Sequence, residues 1–250
     1  MPEDTELETS GNTVLITGGG TGIGFALAEA LVNRGNDVVI CGRRLEKLRA
    51  AKKRLPAVHI RVCDVSMRAS RQALVTWVTS RFPSLNMLVN NAGIQRTVDF
   101  RKGGRDLPQA DAELATNLAG PIHLSALLIP HLRKQKRAAI LNISSGLAFT
   151  PLAVVPVYCA TKAAIHALSL SLRHQLRDTS VRVFEVAPPI VPTELAGRRH
   201  RPQGGEFTMS VQEVAAGILE ALEHDTQEVA LGRAANLHAQ RDALFAVIND

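Results

Sequence analysis

Short apolar runs rich in β-branched residues recur along the chain. Each is followed by a longer stretch in which apolar residues return every three or four positions. A continuous apolar run of a few residues reads as a buried strand, and the longer period as an amphipathic helix. The pattern predicts strands at residues 13–17 (TVLIT), 37–41 (DVVIC), 58–62, 87–89, 139–143, 181–186 (VRVFEV) and 227–231. It predicts helices at 25–34, 45–55, near 67–82, at 112–135 with a break allowed at Pro121, at 157–177, at 211–224, and an amphipathic one at 234–248. Residues 96–111 are polar and glycine-bearing, and read as a loop or a short exposed helix. This alternation belongs to an α/β domain.

Length and composition narrow the picture. The 250 residues suit one sizeable core. A polar, acidic tail at 1–10 precedes a single domain at 11–250. The tail lacks the basic start and apolar stretch of a secretory signal. No apolar run nears the roughly 20 residues that span a bilayer. Cys41, Cys63 and Cys159 show no paired spacing. The expectation is a soluble, cytoplasmic protein of a reducing compartment, without membrane insertion. The net charge of +6 gathers at 43–54, 133–137 and 198–201. No nucleic-acid motif accompanies these clusters, so they read as solvated helix faces plus one anion site, not a nucleic-acid surface.

The first strand enters Gly18-Gly19-Gly20-Thr21-Gly22-Ile23-Gly24, and a helix follows. Glycines between a strand and a helix let the backbone approach a phosphate, and the helix start offers unpaired N–H groups. The candidate cofactor residues here are Gly18, Gly20, Thr21, Gly22, Ile23 and Gly24; the bland reading is a flexible turn. After the second strand come Gly42-Arg43-Arg44, where a Rossmann-like fold meets the adenosine ribose. An acidic residue there favours NAD; guanidinium groups suit a 2′-phosphate, which favours NADP(H) with NAD(H) as the second choice. Arg43 and Arg44 have a second reading, as the start of a charged helix. Asp64 and Val65 follow the third strand; Asp64 either accepts from an adenine amino group or caps the next helix. Asn90-Asn91-Ala92-Gly93 ends the fourth strand, with Asn91, Ala92 and Gly93 as candidates for close backbone approach.

The chain's one tyrosine, Tyr158, stands four residues before Lys162, one turn apart on a helix face. A nearby ammonium favours a phenolate, and such a pair exchanges protons with an alcohol or carbonyl. Ser144 and Ser145 end the fifth strand, where a serine holds a substrate oxygen beside the phenol. Asn117, in mid-helix, serves either a proton path or plain packing. Pro188, Val191 and Thr193 form a stiff exit from the sixth strand, and the segment 193–210, with Arg198 to Arg201, reads as a mobile cover over the site. Eight histidines show no metal-binding spacing, so no metal site is expected. There is no G-x-S-x-G elbow.

In order, these motifs over about residues 12–231 closely resemble the short-chain dehydrogenase/reductase family. Thr17 to Gly24 is similar to its T-G-x-x-x-G-x-G turn, and Asn90 to Gly93 to its N-N-A-G. Asn117, Ser145, Tyr158 and Lys162 match its catalytic four, Ser145 because it lies thirteen residues before Tyr158. Pro188 and Thr193 fit its P-G-x-x-x-T motif, with Pro189 in place of the glycine. Stretches such as PVYCATKAA and SLSLRHQLRDTSV resemble a narrower group, the DltE-like oxidoreductases, associated with D-alanylation of bacterial teichoic acid. The resemblance implies a doubly wound Rossmann-like sheet of seven parallel strands, order 3-2-1-4-5-6-7, with helices on both faces. It also implies homodimers or homotetramers and a small-molecule carbonyl or alcohol substrate. In those roles Tyr158 donates or accepts the proton, and Lys162 holds the nicotinamide ribose and lowers the Tyr158 pKa. Ser145 orients the substrate and Asn117 supports a water relay. A rival from another class is a nucleotide-binding sensor or scaffold that keeps the motifs without useful turnover.

Overall fold

In the computed structural model, residues 8–195 and 209–249 are described. Seven parallel strands form one sheet in the order β3-β2-β1-β4-β5-β6-β7. They are β1 Thr13–Thr17, β2 Asp37–Gly42, β3 His59–Val62, β4 Leu85–Asn90, β5 Ala138–Ile143, β6 Val181–Ala187 and β7 Glu228–Ala230. Side chains alternate across the sheet. Val14 and Ile16 of β1 join a core with Leu27, Leu31, Ile218 and Leu222 on one face. Leu15 joins Leu74, Val78, Leu128 and Leu172 on the other. Helices α1 Gly22–Asn33, α2 Leu45–Arg54 and α7 Val211–Glu223 cover the first face; α3 Arg68–Arg81, α5 Gly120–Leu132 and α6 Pro156–Leu176 cover the second. Each fully buried Leu or Ile contributes about 1.5–3 kcal/mol, which is why both faces of these strands are apolar.

Local chemistry sets the element ends. Gly35 takes φ +78 after α1. Its N–H bonds Val32 O at 2.9 Å and the Asn36 N–H bonds Leu31 O at 3.1 Å, closing the helix in a left-handed C-terminal turn. Ser210 and Glu213 form a reciprocal capping box at the start of α7.

Three expected elements differ in detail. The polar stretch after β4 contains a 3-10 segment at Phe100–Asp106 and a helix, α4 Leu107–Glu113, whose first turn carries Pro108. The predicted helix at 112–135 therefore starts earlier. The interruption it allowed falls just before Pro121, which stands in the first turn of α5 where its missing N–H costs little. A π-helical turn, Leu114–Ala119, joins α4 to α5. The final amphipathic helix is interrupted. It runs as α8 Arg233–Gln240, a 3-10 turn Arg241–Leu244 and α9 Phe245–Asn249, because Arg241 adopts φ +47. Among the described residues, no helix is long and apolar enough to cross a membrane. The tail at 1–7 and most of the expected cover, 196–208 with Arg198 to Arg201, lie outside the described residues.

Candidate active site

β1 lies between β2 and β4, where the strand order reverses. A crevice opens at such a point beyond the carboxyl ends of the strands. The glycine turn leaves β1 there. Gly18, at φ +66, has Ala92 Cα 2.9 Å from where a Cβ would stand. At Gly24 a Cβ would lie 2.4 Å from Asn91 Nδ2 and 2.6 Å from Gly18 O. Asn91 explains this closeness: its Nδ2 donates to Thr17 O at 2.9 Å, and its N–H donates to Thr17 Oγ1 at 3.0 Å. The N-N-A-G segment thus straps the glycine turn from β4. The first N–H to bond back within α1 is that of Phe25, to Thr21 O at 3.3 Å. Thr21 makes no side-chain cap, and the first turn of α1 carries no acidic residue. The helix start is left with donors and a positive dipole end facing the crevice, which suits a pyrophosphate.

Two arginines flank this crevice after β2. Arg43 is exposed, with no hydrogen bond or ion pair among the described residues. Arg44 pairs with Glu194 at 3.0 Å, and Lys47 holds the other oxygen of the same carboxylate at 2.7 Å. These two cations hold the Glu194 carboxyl below its ordinary range. Asp64 turns inward, accepting from Ser66 Oγ at 2.6 Å and Ser66 N at 3.0 Å. It stabilises the turn before α3 instead of capping the helix directly. Val65 is buried, and its carbonyl accepts from Arg71 at 2.6 Å. Beyond β6, the Pro188 carbonyl accepts from Gly146 N at 3.1 Å. Val191 packs on the core beneath α1. Thr193 Cγ2 lies 3.2 Å from where a Cβ on Gly22 would stand, and Leu195 packs against Val155, Tyr158 and Cys159. The described start of the expected cover therefore touches both the glycine turn and the Tyr158 face.

Tyr158 and Lys162 are buried on α6, and Ser145 is buried at the end of β5. Ser145 Oγ accepts from Leu147 N at 3.2 Å, which fixes it as the cap of a short 3-10 turn, Gly146–Ala148. Lys162 Nζ donates to Ile143 O at 2.7 Å and lies 5.6 Å from the centroid of the Tyr158 ring. Burial pulls Lys162 down to about 8, and Glu185 opposes that. Burial pushes the Tyr158 phenol above its ordinary value, the Ser145 hydroxyl pulls it back, and Cys159 and Glu113 raise it further. The expected lowering of Tyr158 by Lys162 is not among these effects: the ammonium is spent on a carbonyl, and desolvation dominates.

Asn117 sits in the π turn, where such irregularities often mark functional sites. It accepts from Ile94 N at 2.9 Å, donates to Ile94 O at 2.8 Å and reaches Thr161 Oγ1 at 3.3 Å. Its amide clamps the irregular segment after Gly93 to the π turn and α6, so packing is one of its jobs. Sequence reasoning missed Glu113, fully buried four residues before Asn117. It accepts from Arg96 N at 2.5 Å and leaves its second oxygen unpartnered. Burial pushes its carboxyl up to about 7. Its position on the apolar side of a helical pattern was the available signal. Sequence reasoning also missed Glu185, an acid in the apolar run of β6, paired with His166 at 2.9 Å. The spacing of histidines offered no metal site, yet the fold brings potential ligand atoms of His166, Glu185 and Glu228 within 4.8 Å of one another. Beside α6, a cavity of about 850 Å³ is lined mainly by apolar side chains, including Val98, Leu147, Leu152, Cys159 and Phe245.

A family model described as short chain dehydrogenase matches residues 12–204. The chain belongs to the short-chain dehydrogenase family. It is an oxidoreductase of that family, with its NAD(P)-binding Rossmann fold. It is 49% identical over 248 residues to the uncharacterized oxidoreductase DltE of Bacillus subtilis, covering 97% of this chain and 98% of that one. It is 29% identical over 205 residues to the NADP-dependent 3-hydroxy acid dehydrogenase YdfG of Escherichia coli, covering 81% of this chain and 82% of that one. A Burkholderia cenocepacia short-chain dehydrogenase solved with NADP superposes with TM-score 0.84 at 28% identity, covering 97% and 99% of the two chains.

Proposed function

We propose that the chain interconverts an alcohol and a carbonyl with NADP(H), using Tyr158 as the proton donor and acceptor. What supports this reading is Lys162 Nζ lying 5.6 Å from the Tyr158 ring and the Ser145 hydroxyl acting on its phenol, together with a glycine turn whose helix start has free donors. The donor set fits a dinucleotide. The α1 N–H groups would hold the pyrophosphate, with Gly18, Gly20, Thr21, Gly22, Ile23 and Gly24 as the turn around it. Arg43 would hold a 2′-phosphate, Asp64 and Val65 would serve the adenine, and Asn91, Ala92 and Gly93 the ribose. Pro188, Val191 and Thr193 would serve the nicotinamide.

When bound, NADPH supplies the hydride, or NADP takes it in the reverse direction. In reduction, the Tyr158 hydroxyl gives its proton to the carbonyl oxygen as the alcohol forms; in oxidation, the phenolate takes the alcohol proton back. Ser145 donates to the same oxygen and holds it against the phenol. Lys162 adds positive charge that favours phenolate once its ammonium turns from Ile143 toward the site. Asn117 links this set to a water relay. Burial holds the Tyr158 phenol in its protonated form, so the resting site carries the proton that reduction uses.

An apolar cavity beside α6 favours a mostly apolar substrate. An anionic group on it would meet the basic residues 198–201, which lie outside the described residues. Assembly as a homodimer or homotetramer and a link to teichoic acid D-alanylation rest on the resemblance, and cytoplasmic location on the cysteine usage and the polar first residues. The direct test is NADPH oxidation with a panel of small aldehydes and ketones. Cofactor binding without turnover of any of them would favour the scaffold reading.

A further inference from the structure

We propose that buried Glu185, fixed by His166, is a positioning residue that keeps the Lys162 ammonium charged inside the active site. This rests on the role given to Lys162 above. Glu185 lies in the middle of β6 and is fully buried between Phe184 and Val186. A carboxylate in such a place is costly unless it is paired. His166 Nδ1 is 2.9 Å from Oε2, but Oε1 has no hydrogen-bond partner. His166 follows Lys162 by one helical turn, so both side chains stand on the same face of α6. Lys162 Nζ donates to Ile143 O, and Ile143 pairs in register with Val186, the neighbour of Glu185. A cation stripped of water and an anion with a spare lone pair therefore lie over the same β5–β6 pair, close but without a direct ion pair. Glu185 is the group that opposes the downward pull of burial on Lys162.

The neighbouring elements carry the other charged groups around this pair. On α6 stand Tyr158 and Arg173, with Glu113 acting on Tyr158 from α4. β5 contributes no ionisable side chain. On β7, Glu228 has His238 Nε2 at 3.1 Å and Arg173 Nη1 at 3.8 Å. Those two partners, one of them a guanidinium that repels a divalent ion, already use Glu228. Glu185, with one oxygen unpartnered, acts on Lys162 through space.

The test is a titration of Lys162 in the whole protein. Lysine carrying carbon-13 at Cε is followed by NMR from neutral to alkaline pH, with Lys162→Met assigning the resonance. Removing a nearby negative charge lowers proton affinity. In Glu185→Gln, Lys162 should thus lose its proton at a pH lower by about one unit or more, the scale of a close opposite charge. The alkaline limb of NADPH-dependent reduction should move down with it, and turnover should recover toward wild type as pH falls. Glu185→Asp keeps the charge and should hold both near wild type. Glu185→Ala serves as the neutral variant if the glutamine protein does not fold. An unmoved Lys162 titration, or a loss of turnover uniform across pH, overturns the proposal. If Lys162 shifts as expected but the wild type turns over no carbonyl, the coupling stands and the enzymatic reading fails.

Discussion

Replacing Arg43 with alanine isolates the cofactor's 2′-phosphate. The residue follows β2 directly, is exposed, and has no partner to give up among the described residues. Its full charge is free for a ligand. One charge-assisted contact of this kind is worth about 1.5–3 kcal/mol, or about one to two decades in affinity. NADH lacks the phosphate and should lose almost nothing. Arg44 provides an internal comparison. It must first leave Glu194, an exposed pair of the sort worth about 0–1 kcal/mol, so Arg44→Ala should cost less than Arg43→Ala. The assay is a titration of NADPH and NADH binding by fluorescence or calorimetry, at one fixed salt concentration because exposed charges are screened. Equal weakening of both cofactors by Arg43→Ala would refute the reasoning. So would a wild-type protein that binds NADH more tightly.

Three further outcomes follow from particular contacts. Lys162→Met should lower both turnover and NADPH affinity, measured as kcat and as a binding constant, because the ammonium serves the phenol and the ribose together. Gly24→Ala should weaken cofactor binding and cost about 1–3 kcal/mol in denaturant unfolding, since its Cβ would meet Asn91 Nδ2 at 2.4 Å and Gly18 O at 2.6 Å. Glu113 binds its proton more tightly folded than unfolded, its carboxyl lying near 7 against an ordinary 4.5, so its stabilising contribution is whole below 4.5 and is lost as pH rises to 7. Glu113→Gln, which mimics the protonated acid, should flatten that decline in urea melts taken across the window and stabilise the protein at higher pH by on the order of 1–3 kcal/mol.

The sheet was legible because its central strands are buried on both faces and stand out as apolar runs between periodic helices. The glycine turn and the Tyr158–Lys162 pair were legible for a different reason: they are local in sequence, so spacing alone places them. What the sequence hid depends on contacts between distant segments. The π turn at 114–119 leaves no mark in an amphipathic pattern, and Pro121 reads as a breaker when it is in fact the first residue type a helix start tolerates. Arg241 breaks the last helix with a left-handed backbone that its residue type does not announce. Glu185 and His166 lie 19 residues apart and become a pair only when α6 packs on β6. Desolvation dominates the Tyr158 phenol, and burial leaves no mark in a sequence where the neighbouring lysine is visible.

The central claim is that the Tyr158 hydroxyl carries the proton in an NADP(H)-dependent exchange of alcohol and carbonyl. The most direct measurement compares wild type with Tyr158→Phe for turnover of one authentic carbonyl substrate and for NADPH affinity. The ring still packs among Val155, Cys159 and Leu195, and only the oxygen is lost. General acid–base groups contribute about 10²–10⁴-fold, so turnover should fall by at least that order while the NADPH binding constant stays nearly unchanged. Near-normal turnover in Tyr158→Phe would contradict the account, because the chain has 1 tyrosine and no other can take its place.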